Sequence, residues 1–125
     1  MRKFKKALIT GISGSGGSFL AEYILKNQKK TKVIGFYRKL RKENILNINH
    51  KAKLIKCDMN NFNNVLKNIK KIKPDVIFHI ASDADVRKSF DEPMKFINNN
   101  NNITLNLLEA VRVAKINPII QICST

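Results

Sequence analysis

The chain has 125 residues, a hydrophobic share of 43% and a formal net charge of +15, from 24 basic and 9 acidic side chains. This length and apolar share predict a single globular domain over residues 1–125 and exclude a wholly disordered chain. No apolar run approaches the roughly 18 residues that a membrane-spanning helix needs, and residues 7–9 are too few for the apolar part of a signal peptide. We therefore expect a soluble cytoplasmic protein.

The positive charge is concentrated in the first part of the chain. Residues 1–73 carry 19 basic and 3 acidic side chains, whereas residues 74–125 carry 5 and 6. A basic half can indicate a nucleic-acid or membrane partner. The lysines are scattered over several segments, however, and the 19 Lys, 16 Asn and 17 Ile are typical of an AT-rich coding sequence. We therefore expect no nucleic-acid partner and no membrane partner.

Five short apolar runs alternate with longer amphipathic stretches, and each run predicts a strand buried on both faces. The predicted strands are Ala7–Thr10, Lys32–Phe36, Lys53–Cys57, Val76–Ile80 and Pro118–Cys123. Apolar residues at helical spacing predict helices over Ser18–Lys26, Phe62–Ile72 and Met94–Lys115, and Arg38–Lys51 is predicted as a loop or a short irregular helix. The alternation predicts an α/β fold, a Rossmann-type doubly wound parallel sheet of strand order 3-2-1-4-5 between two helical layers, ending at the fifth strand.

A glycine-rich segment lies between the first predicted strand and the first predicted helix. Its glycines follow the pattern G-x-x-G-x-x-G, and the candidate binding residues are Gly11, Ser13, Gly14, Ser15, Gly16 and Gly17. Glycines here permit a sharp turn and let backbone amides approach a phosphate, while the helix start points its positive dipole end at the same place. We interpret the segment as a dinucleotide-binding turn, although any turn between a strand and a helix can contain glycine for structural reasons alone.

The end of the second predicted strand bears on which dinucleotide binds. NAD-binding proteins commonly place Asp or Glu roughly 20 residues past the glycines, where it holds a ribose hydroxyl. Here no acid is present, and the strand leads into Arg38, Lys39 and Arg41. A guanidinium at Arg38 suits a 2′-phosphate, which favours NADP over NAD. The alternative is that these three residues are ordinary solvated charges.

Three further segments follow predicted strands. Asp58 is placed to accept a hydrogen bond from an adenine amino group, with the Met59 amide facing a ring nitrogen, although Asp58 could instead cap the helix that begins near Asn61. After the fourth strand, small side chains leave room for a cofactor to pass over the strand ends. The candidate residues there are Ile80, Ala81 and Ser82.

The remaining chemistry-bearing side chains are interpreted as structural. His79 is expected to be a packed core imidazole, and Cys57 and Cys123 are expected to be small buried hydrophobic residues. Their spacing matches no metal site and no disulfide framework.

Together these motifs resemble the extended short-chain dehydrogenase/reductase family over essentially all 125 residues. Residues 10–17 match its T-G-x-x-G-x-x-G, and residues 79–82 with Val86 and Ser89 are similar to its H-x-A-A-x-x-x-V-x-x-S. Asn100 and residues 107–110 are similar to its N-x-x-G-T-x-N-L-L-E-A helix. Within the family, residues 7–12 and 18–23 look most like those of GDP-mannose 4,6-dehydratases, and residues 87–90 and Arg38 agree with that NADP-using group. The chain departs from them at residues 15–16, where Gln-Asp is usual, and at Lys95, where a Tyr is usual.

This resemblance implies the NADP-binding portion of a nucleotide-sugar dehydratase that converts GDP-mannose to a 4-keto-6-deoxy sugar nucleotide. In that reaction hydride leaves C4 of the hexose, water is lost across C5 and C6, and the hydride returns at C6. The resemblance further implies that Thr125 is the catalytic hydroxyl and that the full-length parent is a homo-oligomer.

The family's general base is the Tyr of a Tyr-x-x-x-Lys motif, and that motif is missing from these 125 residues. The two tyrosines are Tyr23 and Tyr37, followed four residues on by Asn27 and Arg41. We therefore expect this chain alone to hold NADP without turning over a sugar nucleotide. Two alternatives stay open: another extended-family epimerase or ketoreductase, and a non-catalytic NADP-binding Rossmann module.

Overall fold

The computed structural model describes residues 4–81 and 91–123. Along the chain the helices and strands are β1 Lys6–Thr10, α1 Ser15–Asn27, β2 Lys32–Tyr37, α2 Lys42–Ile45, β3 Lys53–Lys56, α3 Phe62–Ile72, β4 Val76–His79, α4 Pro93–Ala114 and β5 Ile119–Ile122. The strands form one parallel sheet in the order β3-β2-β1-β4-β5. The predicted doubly wound Rossmann-type fold is therefore confirmed.

The register of the sheet brings all strand starts to one side and all strand ends to the other. Lys6 pairs with Lys32 at the start of β1 and β2, and Thr10 pairs with both Phe36 and His79 at the other end. We call these two sides the amino edge and the carboxyl edge of the sheet. In a sheet of this kind the helices run back from the carboxyl edge to the amino edge, so loops that follow strands gather at the carboxyl edge.

Helices cover both faces of the sheet, because side chains along each strand alternate between two hydrophobic clusters. On β1, Leu8 joins the cluster formed with α3 and α4, whereas Ala7 and Ile9 join the cluster formed with α1 and α2. The first cluster has members such as Val65, Ile69, Ile103 and Leu107, and the second has members such as Ala21, Ile24, Ile45 and Ile48. The central strands are thus buried on both faces, as their sequences predict.

The helix that follows the glycine-rich turn begins earlier than predicted. It starts at Ser15, three residues before the predicted Ser18. Gly16 and Gly17 have low helix propensity, so the first turn of α1 shows no helical pattern in the sequence. The short α2 confirms the irregular helix expected between Arg38 and Lys51.

The two cysteines differ in burial. Cys57 is buried as predicted, and this burial, with Asp58 beside it, raises the pKa of the thiol to about 11. The prediction for Cys123 was wrong, because Cys123 is exposed at the end of β5, the outermost strand on its side of the described sheet.

Within residues 4–81 and 91–123 no helix is long and apolar enough to cross a membrane, and no three metal-binding side chains cluster together.

Candidate functional site

The turn after β1 is held tightly against the end of β2. Gly11 has a φ of +71°, a conformation that L side chains rarely adopt, and a Cβ added there would lie 2.9 Å from the Cα of Ala81. The amides of Gly11 and Ile12 both donate to the carbonyl of Phe36, at 3.0 and 3.1 Å. The turn is therefore anchored at the carboxyl edge, between the ends of β2 and β4.

The start of α1 presents free backbone donors at this edge. Gly14 is the N-cap, and the first hydrogen bond of the helix runs from the Ser18 amide to the Gly14 carbonyl at 2.9 Å. The preceding amides, of Ser15, Gly16 and Gly17, have no acceptor among the described residues. The first turn carries no acidic residue and no side-chain cap, so these donors and the helix dipole remain available to an anion.

Gly17 allows the helix to start where it does. A Cβ on Gly17 would lie 2.2 Å from the Gly11 carbonyl oxygen and 2.9 Å from the Cα of Ile12. Gly16 has no such constraint, since a Cβ there would meet only a methyl of Ile80 at 3.9 Å. The glycines of the motif therefore have three roles. Gly11 forms the turn, Gly17 permits close packing of the helix on the turn, and Gly14 and Gly16 leave the approach to the amides open.

Ser13 ties the glycine-rich turn to the segment after β2. Its buried hydroxyl donates to the Lys39 carbonyl at 2.8 Å, and its own carbonyl accepts from the Asn44 side chain at 2.9 Å. The Ser13 hydroxyl is thus engaged within the protein, and its contribution is to hold Arg38–Arg41 beside the turn. Arg38 and Arg41 are exposed and form no ion pair within the described part of the chain.

Gly35 is a site-forming residue that the sequence analysis did not identify. A Cβ on Gly35 would lie 2.2–2.5 Å from atoms of the Ile12 side chain, which is fully buried. Ile12 therefore packs directly on the backbone of β2 and fixes the position of the turn. A glycine inside an otherwise bulky apolar strand is the sequence signal for such a close approach.

The segment after β3 is also held in place, with Asp58 on the surface. One carboxylate oxygen of Asp58 accepts from the Asn60 amide at 3.0 Å, in a local turn. The cap of α3 is instead Asn61, whose side chain accepts from the Asn64 amide at 3.1 Å. From α4, the Asn106 side chain donates to the Met59 carbonyl at 2.8 Å, an anchor that the sequence analysis also missed.

Thr10 and His79 join the strand ends through a buried hydrogen-bond network. The Thr10 hydroxyl oxygen accepts from the amides of Ile80 and Ala81, both at 3.0 Å, and lies 2.7 Å from Nδ1 of His79. Nε2 of His79 lies 3.0 Å from the Thr104 hydroxyl, which donates to the Asn100 carbonyl at 3.1 Å.

These donors and acceptors are consistent with a single protonation state of His79. Thr10 has accepted two amide hydrogens, so its own hydrogen points to Nδ1, while Nε2–H donates to Thr104. The imidazole is neutral, in agreement with the direction of its pKa, which burial lowers below the usual 6.5. His79 is therefore a packed core imidazole, as the sequence predicts, and it orients the Thr10 hydroxyl, which in turn holds the amides of Ile80 and Ala81 at the site.

The fold brings most of the predicted site residues to one edge of the sheet. The glycine-rich turn, Arg38, Asp58 and Met59, and Ile80 and Ala81 all follow the ends of parallel strands. Two predicted residues, Ser82 and Thr125, lie outside the residues that the structure describes. A crevice at the strand ends with a helix N-terminus beside it is the arrangement in which open α/β sheets bind dinucleotides.

Fold and site together define a Rossmann-type protein of the short-chain dehydrogenase/reductase class. The sequence profile of the family described as GDP-mannose 4,6 dehydratase matches residues 8–125, and the chain belongs to this family. The predicted family resemblance is confirmed.

Individual relatives agree with this assignment. The GDP-mannose 4,6-dehydratase of Yersinia enterocolitica is 35% identical over 119 residues, which cover 87% of this chain and 32% of the relative. The fold matches UDP-glucose 4-epimerase from Thermotoga maritima with a TM-score of 0.82 at 24% identity, over 96% of this chain and 38% of that one. The Thermus thermophilus UDP-glucose 4-epimerase in complex with NAD gives a TM-score of 0.75 at 25% identity, over 89% and 35% of the two chains. The chain spans about a third of the length of the curated relatives it matches.

Proposed function

We propose that residues 1–125 form an NADP-binding domain, the dinucleotide-binding portion of a nucleotide-sugar dehydratase that acts on GDP-mannose. The observation that carries this proposal is the set of free amides at Ser15, Gly16 and Gly17, which open at the carboxyl edge beside Arg38. Membership of the GDP-mannose 4,6 dehydratase family supports the substrate class.

The start of α1 fits the diphosphate of a dinucleotide. Three amides from consecutive residues, of which two are glycines, supply donors with no side chain beyond Ser15 to obstruct an anion. The positive end of the helix dipole adds to their attraction for negative charge. Gly11 and Gly14 complete the backbone surface on which the diphosphate would lie.

Arg38 is the residue that we assign to the 2′-phosphate of NADP. It directly follows β2, whose end carries no acid that would repel a phosphate. The hydrogen bond from Ser13 to Lys39 keeps this segment next to the diphosphate site. A guanidinium can form two parallel hydrogen bonds to one phosphate, which is the basis of the expected preference for NADP over NAD.

The other predicted residues complete the cofactor site. Asp58 and the Met59 amide are assigned to the adenine, and Ile80, Ala81 and Ser82 to the path of the cofactor over the strand ends. When bound, the nicotinamide supplies a hydride acceptor that returns the hydride later in the same reaction. Thr125 is the proposed catalytic hydroxyl.

A binding experiment tests the cofactor assignment. Titrating the chain with NADPH and NADH, followed by nicotinamide fluorescence, is expected to show tighter binding of NADPH. Arg38→Ala should weaken NADPH binding about tenfold or more, because a charge-assisted hydrogen bond is lost, and should leave NADH binding unchanged. Lys56→Ala, an exposed cation at the end of β3, is the matched control.

Each other outcome of this titration counts against a stated part of the proposal. Equal affinity for the two coenzymes in the unaltered chain would contradict the phosphate role of Arg38. A preference for NADH would favour an NAD-using epimerase, the class to which the Thermus structure with NAD belongs. Absence of binding to both would contradict the cofactor assignment and would favour a Rossmann module that acts as a scaffold without a cofactor.

Turnover provides a second test. These 125 residues contain no Tyr-x-x-x-Lys, so we expect the chain to bind NADP without converting GDP-mannose. Incubation of the chain with GDP-mannose and NADP, followed by chromatography for the 4-keto product, should show no conversion. Formation of that product would show that the chain supplies its own base, and the assignment of a binding portion alone would be wrong.

A further inference from the structure

The lysines that are scattered along the sequence converge on the amino edge of the sheet. This edge holds the starts of the strands and, because the helices run back across the sheet, the ends of α1, α3 and α4. The lysines of this surface, which we call the amino-edge lysines, are Lys5, Lys6, Lys26, Lys29, Lys30, Lys32, Lys51, Lys53, Lys70, Lys71, Lys73 and Lys115.

The strand register sets these lysines close together. Lys6 and Lys32 are direct partners at the start of β1 and β2, on strands about 5 Å apart. Lys53 begins β3 on the other side of β2, opposite Ile34. A row of cationic side chains therefore runs across three adjacent strands, although the residues lie more than 20 positions apart in sequence.

This charge is not balanced by acidic side chains. Among the described residues, Asp75 lies at the amino edge itself, and its Oδ2 accepts from the amides of Lys5 and Lys6, both at 2.9 Å. Glu22 lies one turn before Lys26 on α1, and Glu109 is paired with Arg112 near the end of α4. With Glu22 counted beside Asp75 and the Glu109–Arg112 pair neutral, twelve lysines against two carboxylates leave a local charge of 12 − 2 = +10. All twelve are exposed except Lys6, which is partly buried, and the ion pairs found in the described part of the chain involve none of them.

Exposed aromatic rings adjoin this surface on α1. Phe19 is 73% exposed and Tyr23 is 59% exposed. They are four residues apart, and Lys26 follows three residues later, so the three side chains share one face of the helix. The aromatic rings thus continue from the lysine surface along the side of the molecule.

We propose that the amino-edge lysines, together with Phe19 and Tyr23, bind single-stranded nucleic acid, at a surface separate from the cofactor site. Lysines supply sequence-independent contacts to phosphates, and exposed aromatic rings supply stacking surfaces for unpaired bases. A flexible strand can follow both the end of the sheet and the side of α1. A flat bilayer would contact either the end of the sheet or the side of α1, but not both. The arrangement therefore favours nucleic acid over an acidic membrane. This inference is independent of the proposed dehydratase function, and it replaces the expectation from the sequence that the chain has no nucleic-acid partner.

Binding is tested by fluorescence anisotropy with a labelled 20-nucleotide oligo(dT) and the matching oligo(U) at several salt concentrations. Lys29→Gln with Lys30→Gln is expected to weaken binding by roughly 25-fold at 0.1 M salt and to reduce the slope of log K against log salt by about 1.4, since each phosphate contact contributes about 0.7 to that slope. Lys56→Gln with Lys95→Gln, which removes equal charge outside the amino edge, should change affinity by less than about threefold.

The aromatic contribution is tested separately. Tyr23→Ala should weaken binding about fivefold or more with no change in salt slope, because stacking does not release counterions. Leu105→Ala, at an exposed apolar position on α4, is the control and should bind like the unaltered chain.

Other results would overturn the proposal. The first is the absence of measurable oligonucleotide binding at low salt, and the second is an equal loss of affinity in the two double-lysine variants. The third is displacement of the oligonucleotide by saturating NADP, which would place the oligonucleotide in the cofactor site. Sedimentation with vesicles of 70% phosphatidylcholine and 30% phosphatidylserine that depends on Lys29 and Lys30, without oligonucleotide binding, would assign the surface to membranes instead.

Discussion

Gly16 and Gly17 are neighbours of the same residue type in the first turn of α1, yet the structure gives them different constraints. Gly17 faces the backbone of the preceding turn, where there is no room for a Cβ. Gly16 faces outward, with a methyl of Ile80 as its nearest neighbour. A glycine pattern in a sequence therefore contains positions that require glycine for packing and positions that only keep the approach of a ligand open.

The two glycines make a matched pair of substitutions. Gly17→Ala should destabilise the chain by about 3 kcal/mol, because the new Cβ meets rigid backbone at Gly11 and Ile12. Gly16→Ala should be neutral or stabilising by up to about 1 kcal/mol, since alanine has the higher helix propensity and meets no close neighbour. Urea unfolding without ligand measures both values, and similar losses in the two variants would contradict the packing role of Gly17.

At the scale of the element, α3 shows how asparagine contributes to structure despite its low helix propensity. Asn61 caps the helix, and the Asn68 side chain donates to the Asn64 carbonyl at 2.9 Å. The C-terminal end is closed by Lys73 in the left-handed conformation, with Pro74 directly after it. The asparagines that reflect composition bias in the sequence thus include individual residues with defined hydrogen-bonding roles.

The cap of α3 provides a prediction at this scale. Asn61→Ala should lower the free energy of unfolding by about 1 kcal/mol, because the Asn64 amide loses its acceptor at the helix start. Asn63→Ala, at an exposed position in the same first turn, is the control and should be neutral or slightly stabilising. If both variants unfold at the same urea concentration, the cap does not contribute to stability.

For the whole molecule, His79 connects three elements that are distant in sequence. Through Thr10 it contacts the end of β1, and through Thr104 it contacts α4. Because the Thr10 hydroxyl also holds the amides of Ile80 and Ala81, the network links core packing to the position of the site. A change in the protonation of His79 would therefore disturb the packing of β1, β4 and α4 together.

Stability should therefore depend on pH through His79. Burial lowers the pKa of His79 in the folded chain below 6.5, so between that lowered pKa and 6.5 the unfolded chain binds more protons than the folded one. The contribution of neutral His79 to the free energy of unfolding is then fully present above pH 6.5 and is lost as the pH falls through the pKa of His79 in the folded chain. Thermal unfolding at a series of pH values from 7.5 to 5 should show this loss.

Substitution identifies the group responsible for that loss. His79→Gln should reduce the loss between pH 7 and pH 5, at the cost of lower stability at neutral pH from the altered network. His50→Gln, at an exposed position, is the control and should retain the loss. A pH dependence that is the same in all three proteins would rule out His79 as its origin.

The sequence by itself determined the order of strands and helices, the parallel sheet and the position of the glycine-rich turn. These features depend on local patterns, the spacing of apolar residues and of glycines, which can be seen within a short stretch of sequence. The sequence also placed Arg38, Asp58 and Ala81 after strand ends, which a parallel sheet brings to one edge. Only the tertiary structure distinguished Gly17 from Gly16, directed the Ser13 hydroxyl to Lys39, and revealed Asn106 and the partners of His79. These details depend on contacts between residues from 6 to nearly 70 positions apart. The grouping of the amino-edge lysines was also decided only by the tertiary structure. Strand register and the return of each helix across the sheet bring these lysines to one surface, although they are not close in sequence.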